Sequence, residues 1–304
     1  MAIAGLPEEE YFSPGHRACA GCGAAIALRL ITKAAGENTV LCESTGCMEV
    51  VSTPYPETAW KLPWIHGAFE NNSAIGSGVE RALRSLGKED VNVVVFGGDG
   101  ATYDIGFGGL SGTFERGHNL TYICYDNEAY MNTGIQRSSS TPFGASTTTS
   151  PSGKESFGKR EWKKDIVHIM AMHGSPYCAQ TSVGFPQDAY KKIKTAIETE
   201  GPAYVNLFAP CPTGWRHDSA LTVEIAKLAV DTGVYPIYEI IDGKHKITRP
   251  SDVEKLKPVE DYLKIQGRFR HLFKPEKNEE VVGKIQEQVK ANLEYILKCQ
   301  ESGL

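Results

Sequence analysis

The chain has 304 residues, enough to bury a full hydrophobic core in one large α/β domain or two small ones. Its apolar content of 41% is typical of a globular protein, and its net charge of −5 disfavours nucleic-acid binding. No apolar run approaches the roughly 20 residues that span a bilayer, and residues 1–14 lack the apolar segment of a signal peptide. We therefore expect a cytoplasmic protein that binds neither nucleic acid nor a membrane.

The predicted elements alternate between helices and strands along most of the chain. The first are an extended arm over 1–18, a helix over 24–35, a strand over 38–42, a turn over 44–47, a loop over 52–66 and a helix over 68–86. Next come a strand over 91–96, a helix to about residue 116, a strand over 120–125, a long loop over 133–160, a helix over 165–173, a strand over 177–182, a helix over 186–200 and a strand over 203–208.

This alternation predicts a doubly wound, mostly parallel sheet in an α/β domain over residues 1–220. Residues 221–304 are predicted to form an extension with an amphipathic helix over 278–297, which packs on this domain or on a partner subunit. Ligands of doubly wound sheets bind at the carboxyl ends of the strands. The polar segments over 97–100 and 126–127, together with Cys211, all fall at such ends.

A Gly-Asp-Gly sequence follows one buried strand, and an Asp-Asn pair ends the next. Mg²⁺ prefers oxygen ligands, which Asp99, Asn127 and the backbone carbonyl of Ala129 can supply. Gly98 and Gly100 allow a diphosphate to approach the backbone closely. Gly-Asp-Gly alone is often only a turn, but with the Asp-Asn pair it resembles the two-part thiamine-diphosphate motif. The nucleotide-binding alternatives lose support because the Walker motif and a Gly-x-Gly-x-x-Gly after a strand are missing from the sequence.

Four of the eight cysteines lie where a metal centre could use them. Cys19 and Cys22 form a Cys-x-x-Cys in a glycine-rich loop, Cys47 lies in a turn after a strand, and Cys211 precedes a proline at another strand end. A reducing cytosol argues against disulfides. The remaining cysteines are predicted to be core residues or, in the last case, part of a fraying helical turn: Cys42, Cys124, Cys178 and Cys299.

The spacing of the four cysteines leaves zinc and an Fe₄S₄ cluster equally open. A redox pair of the thioredoxin type is disfavoured, since such a pair would not need the two distant cysteines. The neighbouring thiamine site favours the cluster, because a thiamine carbanion is an electron source and a cluster accepts one electron at a time.

Longer motifs extend this pattern over nearly the whole chain. They are GHRACAGCG over 15–23, TGCMEVV over 45–51, PWIH over 63–66, YDNEAYMNTGIQRS over 125–138, CPTGW over 211–215 and the segment 262–272. Together they resemble the β subunits of the 2-oxoacid:ferredoxin oxidoreductase family, which includes pyruvate:ferredoxin oxidoreductase. The resemblance implies a thiamine-diphosphate-binding domain with a cluster-carrying N-terminal loop and a C-terminal helical tail.

The resemblance also implies the ligands of each cofactor. Thiamine diphosphate and Mg²⁺ are expected on Gly98, Asp99, Gly100, Asn127 and Ala129, and a [4Fe–4S] cluster on Cys19, Cys22, Cys47 and Cys211. Asn132 is expected beside the thiazolium, where it would stabilise the substrate or an intermediate. Thr133 and Gln136 either contact the cofactor or only shape the loop.

The activity that this resemblance implies is oxidative decarboxylation of a 2-oxoacid, with pyruvate, coenzyme A and ferredoxin as the expected reactants. Residues 101–113 are richer in glycine than the family pattern, which leaves open oxalate, 2-oxoglutarate, branched-chain or aryl 2-oxoacids. His66, in the predicted loop over 52–66, could reach the cofactor, whereas the other histidines are expected at the surface or in the core.

Thiamine enzymes use a glutamate of a second, pyrimidine-binding domain to activate the cofactor. Because this chain has one α/β unit, that glutamate is expected from an α subunit, with γ and δ subunits or a fused equivalent completing a hetero-oligomer. Two alternatives remain. A non-redox thiamine carboligase or decarboxylase would need Asp99 and Asn127 but not Cys19 and Cys22, and a non-catalytic zinc-stabilised subunit would need only the cysteines.

Overall fold

An eight-stranded β-sheet forms the centre of the computed structural model, which describes residues 5–303. Its strands are β1 Thr39–Ser44, β2 Trp64–Gly67, β3 Asn92–Gly98, β4 Thr121–Asp126, β5 Tyr177–Ser182, β6 Ala203–Phe208, β7 Ile237–Ile241 and β8 Lys244–Arg249. Across the sheet they lie in the order β2-β1-β3-β4-β6-β5-β7-β8. The first six are parallel, and β7 and β8 continue the sheet in antiparallel fashion. The predicted mostly parallel α/β architecture is confirmed.

Helices cover both faces of this sheet. They are α1 Gly23–Ala35, α2 Cys47–Ser52, α3 Asn72–Ser85, α4 Phe107–Glu115, α5 Ile166–Ala171, α6 Pro186–Glu198, α7 Pro212–Trp215, α8 Thr222–Asp231, α9 Val259–Leu263 and α10 Glu279–Ser302. A π-helix spans Gly100–Ile105, and 3₁₀ turns span Ser219–Leu221, Val253–Lys255 and Gly267–Leu272. None of the described helices is both long and apolar enough to cross a membrane.

Strand β3 shows why its sequence is apolar without alternation. Val94 and Phe96 lie in a core that includes residues of α1 and α6, whereas Val93 and Val95 lie in a second core with residues of α4 and α5. None of these four side chains is more than 4% exposed. A polar residue at any of these positions would be buried in one core or the other, as expected for a parallel strand with helices on both faces.

The chain beyond residue 220 takes part in the same sheet and the same cores. Strands β7 and β8 extend the sheet from the edge of β5. Helix α10 begins where the side chain of Asn278 accepts a hydrogen bond from the N–H of Val281, as an N-cap does. The apolar side of α10 contributes Val289 to one core and Ile296 to the other.

Several details differ from the predicted elements, including the unpredicted strands β7 and β8. Helix α2 begins at Cys47, where only a turn is predicted, and β2 lies partly within the predicted loop over 52–66. Both elements are too short for a clear periodicity. The predicted helix before residue 116 starts as a π-helix, whose last turn closes at Gly106. The first four residues of the predicted N-terminal arm lie outside the described part of the chain.

Candidate functional site

The candidate site lies at one edge of the sheet, beyond the carboxyl ends of four neighbouring parallel strands. Strands β1, β3, β4 and β6 are adjacent in the sheet. Cys47, Asp99, Asn127 and Cys211 each follow one of these strands within three residues. Because parallel strands end at the same edge, residues that are far apart in the sequence come together here.

A cavity at this edge is lined by residues from both predicted groups. They include Cys47, Gly98, Gly100, Asn127, Ala129 and Asn132. Gly100 packs against Tyr130, since a Cβ atom at this position would lie 2.5 Å from the tyrosine ring. The cavity therefore joins the predicted diphosphate–metal segment to at least one of the predicted cluster cysteines.

Three polar groups converge beside this cavity. One terminal atom of the Asn127 amide lies 2.8 Å from Oδ1 of Asp99 and 2.9 Å from the backbone oxygen of Ala129. As the amide nitrogen, this atom donates two hydrogen bonds. As the amide oxygen, it completes a set of three oxygens spaced like adjacent ligands of Mg²⁺, which are about 3 Å apart in an octahedron with metal–oxygen bonds of about 2.1 Å.

Asp99 is fully buried. Burial raises the pKa of its carboxyl well above the ordinary value, and the nearby carboxylate of Asp126 raises it further. The hydroxyl of Ser138 donates to Oδ2 at 2.5 Å and works in the opposite direction. A cation bound at Oδ1 would stabilise the charged form of this buried carboxyl and so lower its pKa again.

Asp126 belongs to a second, fully paired set of polar groups behind Asp99. Its Oδ2 lies 2.6 Å from Nζ of Lys163, and it also accepts a hydrogen bond from Nδ2 of Asn206 at 3.1 Å. Its Oδ1 accepts from the hydroxyl of Ser140 at 2.5 Å. Burial alone would lower the pKa of Lys163, but Asp126 and Glu128 outweigh it and raise that pKa. The negative charge of Asp126 is therefore already balanced by Lys163 within the chain.

The eight cysteines differ in exposure. Cys42, Cys124 and Cys178 are buried, as predicted, and Cys299, predicted to lie in a fraying helical turn, is buried on α10. Cys19 is exposed, and the other three proposed ligands are partly exposed: Cys22, Cys47 and Cys211. The four cysteines that are at least partly exposed are therefore the four that the loop and strand-end positions single out.

The Cys-x-x-Cys loop packs directly on the segment that carries Cys211. The N–H of Gly23 donates to the carbonyl of Pro210 at 3.1 Å. Gly21 has a φ of +69°, and a Cβ atom there would lie 2.1 Å from the carbonyl oxygen of Ser219. Only glycine allows both this conformation and this close approach, so the two segments meet along their backbones.

The pKa values of Cys47 and Cys211 are raised by burial and by the other proposed cluster ligands. Burial raises the pKa of Cys47 to about 12, and the charges of the other three cysteines contribute. Burial likewise raises the pKa of Cys211 to about 11, again with contributions from Cys22 and Cys19. Within residues 5–303, no group of three or more His, Cys, Asp or Glu side chains is arranged to hold a metal ion.

Other predicted residues surround the mouth of the cavity. Asn132 and Thr133 line it and are exposed. The hydroxyl of Thr133 donates to Oε1 of Gln136 at 2.5 Å, so these two side chains brace the loop against each other. His66 stacks on Trp64 and contacts the hydroxyl of Thr45 at 2.6 Å, and Thr45 in turn lines the cavity.

Sequence patterns did not identify several polar side chains of this region. Ser138 and Ser140 come from the long predicted loop over 133–160, which reaches back to the carboxylates of Asp99 and Asp126. Lys163 follows that loop, and it had no distinguishing pattern around it. The length of the loop was the available signal, since long loops in compact domains are usually functional.

Comparison with known proteins identifies a thiamine pyrophosphate family model and several similar oxidoreductase subunits. The family model described as the thiamine pyrophosphate enzyme C-terminal TPP binding domain matches residues 44–207. Pyruvate synthase subunit PorB of Methanothermobacter thermautotrophicus is 61% identical over 273 residues, which are 90% of this chain and 94% of that protein. Ketoisovalerate oxidoreductase subunit VorB of Pyrococcus abyssi is 48% identical over 274 residues, 88% of each chain.

A solved structure is also similar. It is the 2-oxoglutarate:ferredoxin oxidoreductase from Magnetococcus marinus, with 2-oxoglutarate, coenzyme A and succinyl-CoA bound. The two chains are 26% identical and superpose with a TM-score of 0.58, over 74% of this chain and 83% of the other.

Proposed function

We propose that pyruvate is the substrate of this chain, which belongs to the β subunits of the thiamine-diphosphate-dependent 2-oxoacid:ferredoxin oxidoreductase family. The reaction would convert pyruvate and coenzyme A to acetyl-CoA and CO₂ and pass the electrons to ferredoxin. The observation that favours pyruvate is the higher identity with the pyruvate synthase subunits than with the ketoisovalerate subunit.

We propose that Mg²⁺ is held by Asp99, Asn127 and the carbonyl of Ala129. The convergence of their three polar groups supports this ligand set, because it needs only the oxygen of the Asn127 amide to face the cation. Asp99 would then bind as a carboxylate, with Ser138 still donating to its second oxygen. Gly98 and Gly100 line the same cavity and would lie along the diphosphate.

When bound, thiamine diphosphate supplies the electron sink that allows a 2-oxoacid to lose CO₂. The role of the chain is to hold and orient the cofactor. Asn132, which lines the cavity, would donate a hydrogen bond to the substrate. The apolar lining, which includes Phe69 and Met131, would limit the access of water to the reacting groups.

We further propose a [4Fe–4S] cluster on the four accessible cysteines: Cys19, Cys22, Cys47 and Cys211. These residues would hold the cluster, which would supply one-electron transfer towards ferredoxin. The proposal is supported by the position of Cys47, which lines the cavity of the diphosphate–metal segment. Burial and the neighbouring thiols raise the pKa of Cys47 and of Cys211, so a metal centre that binds these sulfurs as thiolates would stabilise the charged forms.

The activating glutamate is proposed to belong to an α subunit. Among the described residues that line the cavity, none is an Asp or Glu, and the chain forms one sheet of the diphosphate-binding type. The α subunit would therefore face this cavity in the assembled enzyme. Further subunits, γ and δ or a fused equivalent, would carry electrons to ferredoxin.

The native complex, purified without oxygen, tests these proposals together. We expect iron, acid-labile sulfide and thiamine diphosphate, a broad visible absorption, and ferredoxin reduction that depends on pyruvate and coenzyme A. Faster turnover with 2-oxoglutarate, oxalate or a branched-chain or aryl 2-oxoacid would show that this acid, and not pyruvate, is the substrate. Thiamine without iron would indicate a non-redox carboligase or decarboxylase, and zinc without iron or thiamine would indicate a non-catalytic subunit.

A further inference from the structure

We propose that Arg268, from the C-terminal part of the chain, positions the ligands of the thiamine-bound cation. It does so through Glu128, the residue between the two ligands Asn127 and Ala129. This inference rests on the proposed function, since it assigns a role toward the same cation. Arg268 touches none of the cation-binding atoms, so it is a positioning residue and not a ligand.

The turn that carries the two ligands has an unfavourable backbone conformation at its centre. Glu128 has a φ of +65°, in the left-handed region that residues other than glycine rarely occupy. This conformation lets the side chain of Asn127 and the carbonyl of Ala129 point to the same place. Something in the surrounding structure must therefore stabilise the turn.

Two positively charged side chains, those of Arg268 and Lys163, form ion pairs with Glu128. One of its oxygens lies 2.6 Å from an Nη of Arg268, and the other lies 2.9 Å from Nζ of Lys163. The Glu128 and Arg268 side chains are only 2% and 4% exposed. A buried carboxylate that loses one partner is strongly disfavoured, so removal of Arg268 would work directly on the residue in the left-handed conformation.

Arg268 also supports the turn from a second direction. Its guanidinium lies 3.7 Å from the ring centre of Trp215, and the Nε1–H of Trp215 donates to the carbonyl of Asn127 at 2.8 Å. Gln266 and Tyr262 accept further hydrogen bonds from the guanidinium, at 2.8 and 3.2 Å. A planar group is needed for this combination of stacking and directed hydrogen bonds, and lysine would supply only the charge.

The matched variants are Arg268→Met, Arg268→Lys and Arg270→Met in the complete complex. Arg270 lies in the same 3₁₀ turn, Gly267–Leu272, but is exposed. The complex is stripped of cofactor, and the Kd for thiamine diphosphate with Mg²⁺ is measured by equilibrium dialysis. We expect R268M to raise the Kd about tenfold or more, which corresponds to about 1.4 kcal/mol, R268K to give an intermediate value, and R270M to match the wild type.

A double variant separates the positioning role of Arg268 from a general contribution of Arg268 to stability. Glycine adopts a positive φ without strain, so Glu128→Gly removes the need for the ion pair. In this background R268M should raise the Kd much less than it does with Glu128 present. An equal increase in both backgrounds would refute the positioning role. For R268M, the kcat at saturating cofactor should stay within about twofold of the wild-type value, because the substitution weakens cofactor binding.

Two controls separate this inference from the proposed function. Asp99→Asn should abolish cofactor binding, and if it binds like the wild type, the proposed cation site is wrong. If D99N loses binding but R268M binds like the wild type, only the role of Arg268 is wrong. Should R268M fail to assemble, R268K decides, since a Kd equal to that of the wild type would overturn the proposal.

Discussion

At the scale of single residues, three buried carboxyl groups differ in their partners. Asp126 is paired with Lys163, and Asp99 accepts a hydrogen bond from Ser138 beside the candidate cation site. Glu43, on β1, accepts a hydrogen bond from Nε1 of Trp64 at 3.0 Å, but within residues 5–303 its Oε1 has no hydrogen-bond partner. Burial raises the pKa of Glu43 well above its ordinary value, so we expect this group to be neutral in the folded chain.

Glu43→Gln should therefore stabilise the complex, and more so at higher pH. The unfolded chain ionises Glu43 above its ordinary pKa while the folded chain keeps the proton, so wild-type stability falls as pH rises towards the raised pKa. The glutamine variant avoids this loss, and its advantage should grow by up to about 1.4 kcal/mol per pH unit. Unfolding is compared at pH 5 and pH 8. The exposed Glu37→Gln is the control, and equal behaviour of the two variants would contradict a neutral Glu43.

The accessible and buried cysteines should differ in their effect on iron. Cys47→Ser is expected to lower the iron content of the complex and its rate of ferredoxin reduction, because a hydroxyl replaces one thiolate ligand. Cys178→Ala removes a buried sulfur in β5 and should keep the iron, with a stability cost of about 1 kcal/mol from the small cavity. Iron is measured per β subunit. Full iron in C47S would remove this cysteine from the proposed ligand set.

At the scale of elements, the segment after β3 shows how a short irregular helix serves the site. The π-helix Gly100–Ile105 begins directly after Asp99. It ends where the N–H of Gly106 donates to the carbonyl of Ala101 at 3.0 Å, a bond across five residues. A Cβ atom at Gly106 would lie 2.2 Å from that oxygen. The glycine-rich composition of this segment is thus explained in part by the π-helix, an element often found at functional sites.

Gly106→Ala and Gly108→Ala make a matched pair. Alanine at 106 must open the last turn of the π-helix, so we expect a stability loss of about 1–3 kcal/mol and weaker binding of thiamine diphosphate with Mg²⁺. A Cβ atom at 108 meets no atom within 4 Å, and alanine there should be neutral or stabilise α4 by up to about 1 kcal/mol. Unfolding and cofactor titration are measured for both. Equal effects would argue against a role of the π-helix in placing Asp99.

At the scale of the whole molecule, the site joins parts of the chain that are distant in sequence. Four strand ends, the long loop and the C-terminal 3₁₀ turn all contact it or its supports. A ligand that binds here should therefore stabilise the entire chain and not one segment. The wild-type complex is expected to gain about 2.7 kcal/mol when thiamine diphosphate and Mg²⁺ are present at about 100 times the Kd.

This gain is measured as the shift in unfolding with and without cofactor. EDTA should cancel the shift, since the diphosphate would be bound through the cation. The D99N complex should show almost no shift under the same conditions. A shift that persists in EDTA would mean that the diphosphate is held by the chain without the metal.

Much of the fold follows from local sequence patterns. The apolar runs at β3 and β4 predict strands buried on both faces, and the structure has them within a residue or two of the expected positions. Strand β2 and helix α2 could not be found in this way, because elements of four and six residues owe their conformation to the neighbours they pair or pack with. The two antiparallel strands after residue 220 likewise depend on the free edge of β5.

The sequence by itself determined which residues could form a site: polar or thiol side chains placed directly after buried parallel strands must meet at one edge of the sheet. It could not determine what supports them. Arg268 is 140 residues from Glu128 in the chain. Ser138 ends the motif over 125–138, which assigns it no role, and Lys163 has no motif around it. Their roles arise only when folding buries the carboxylates beside them, since the cost of an unpaired buried charge depends on three-dimensional neighbours and not on local pattern.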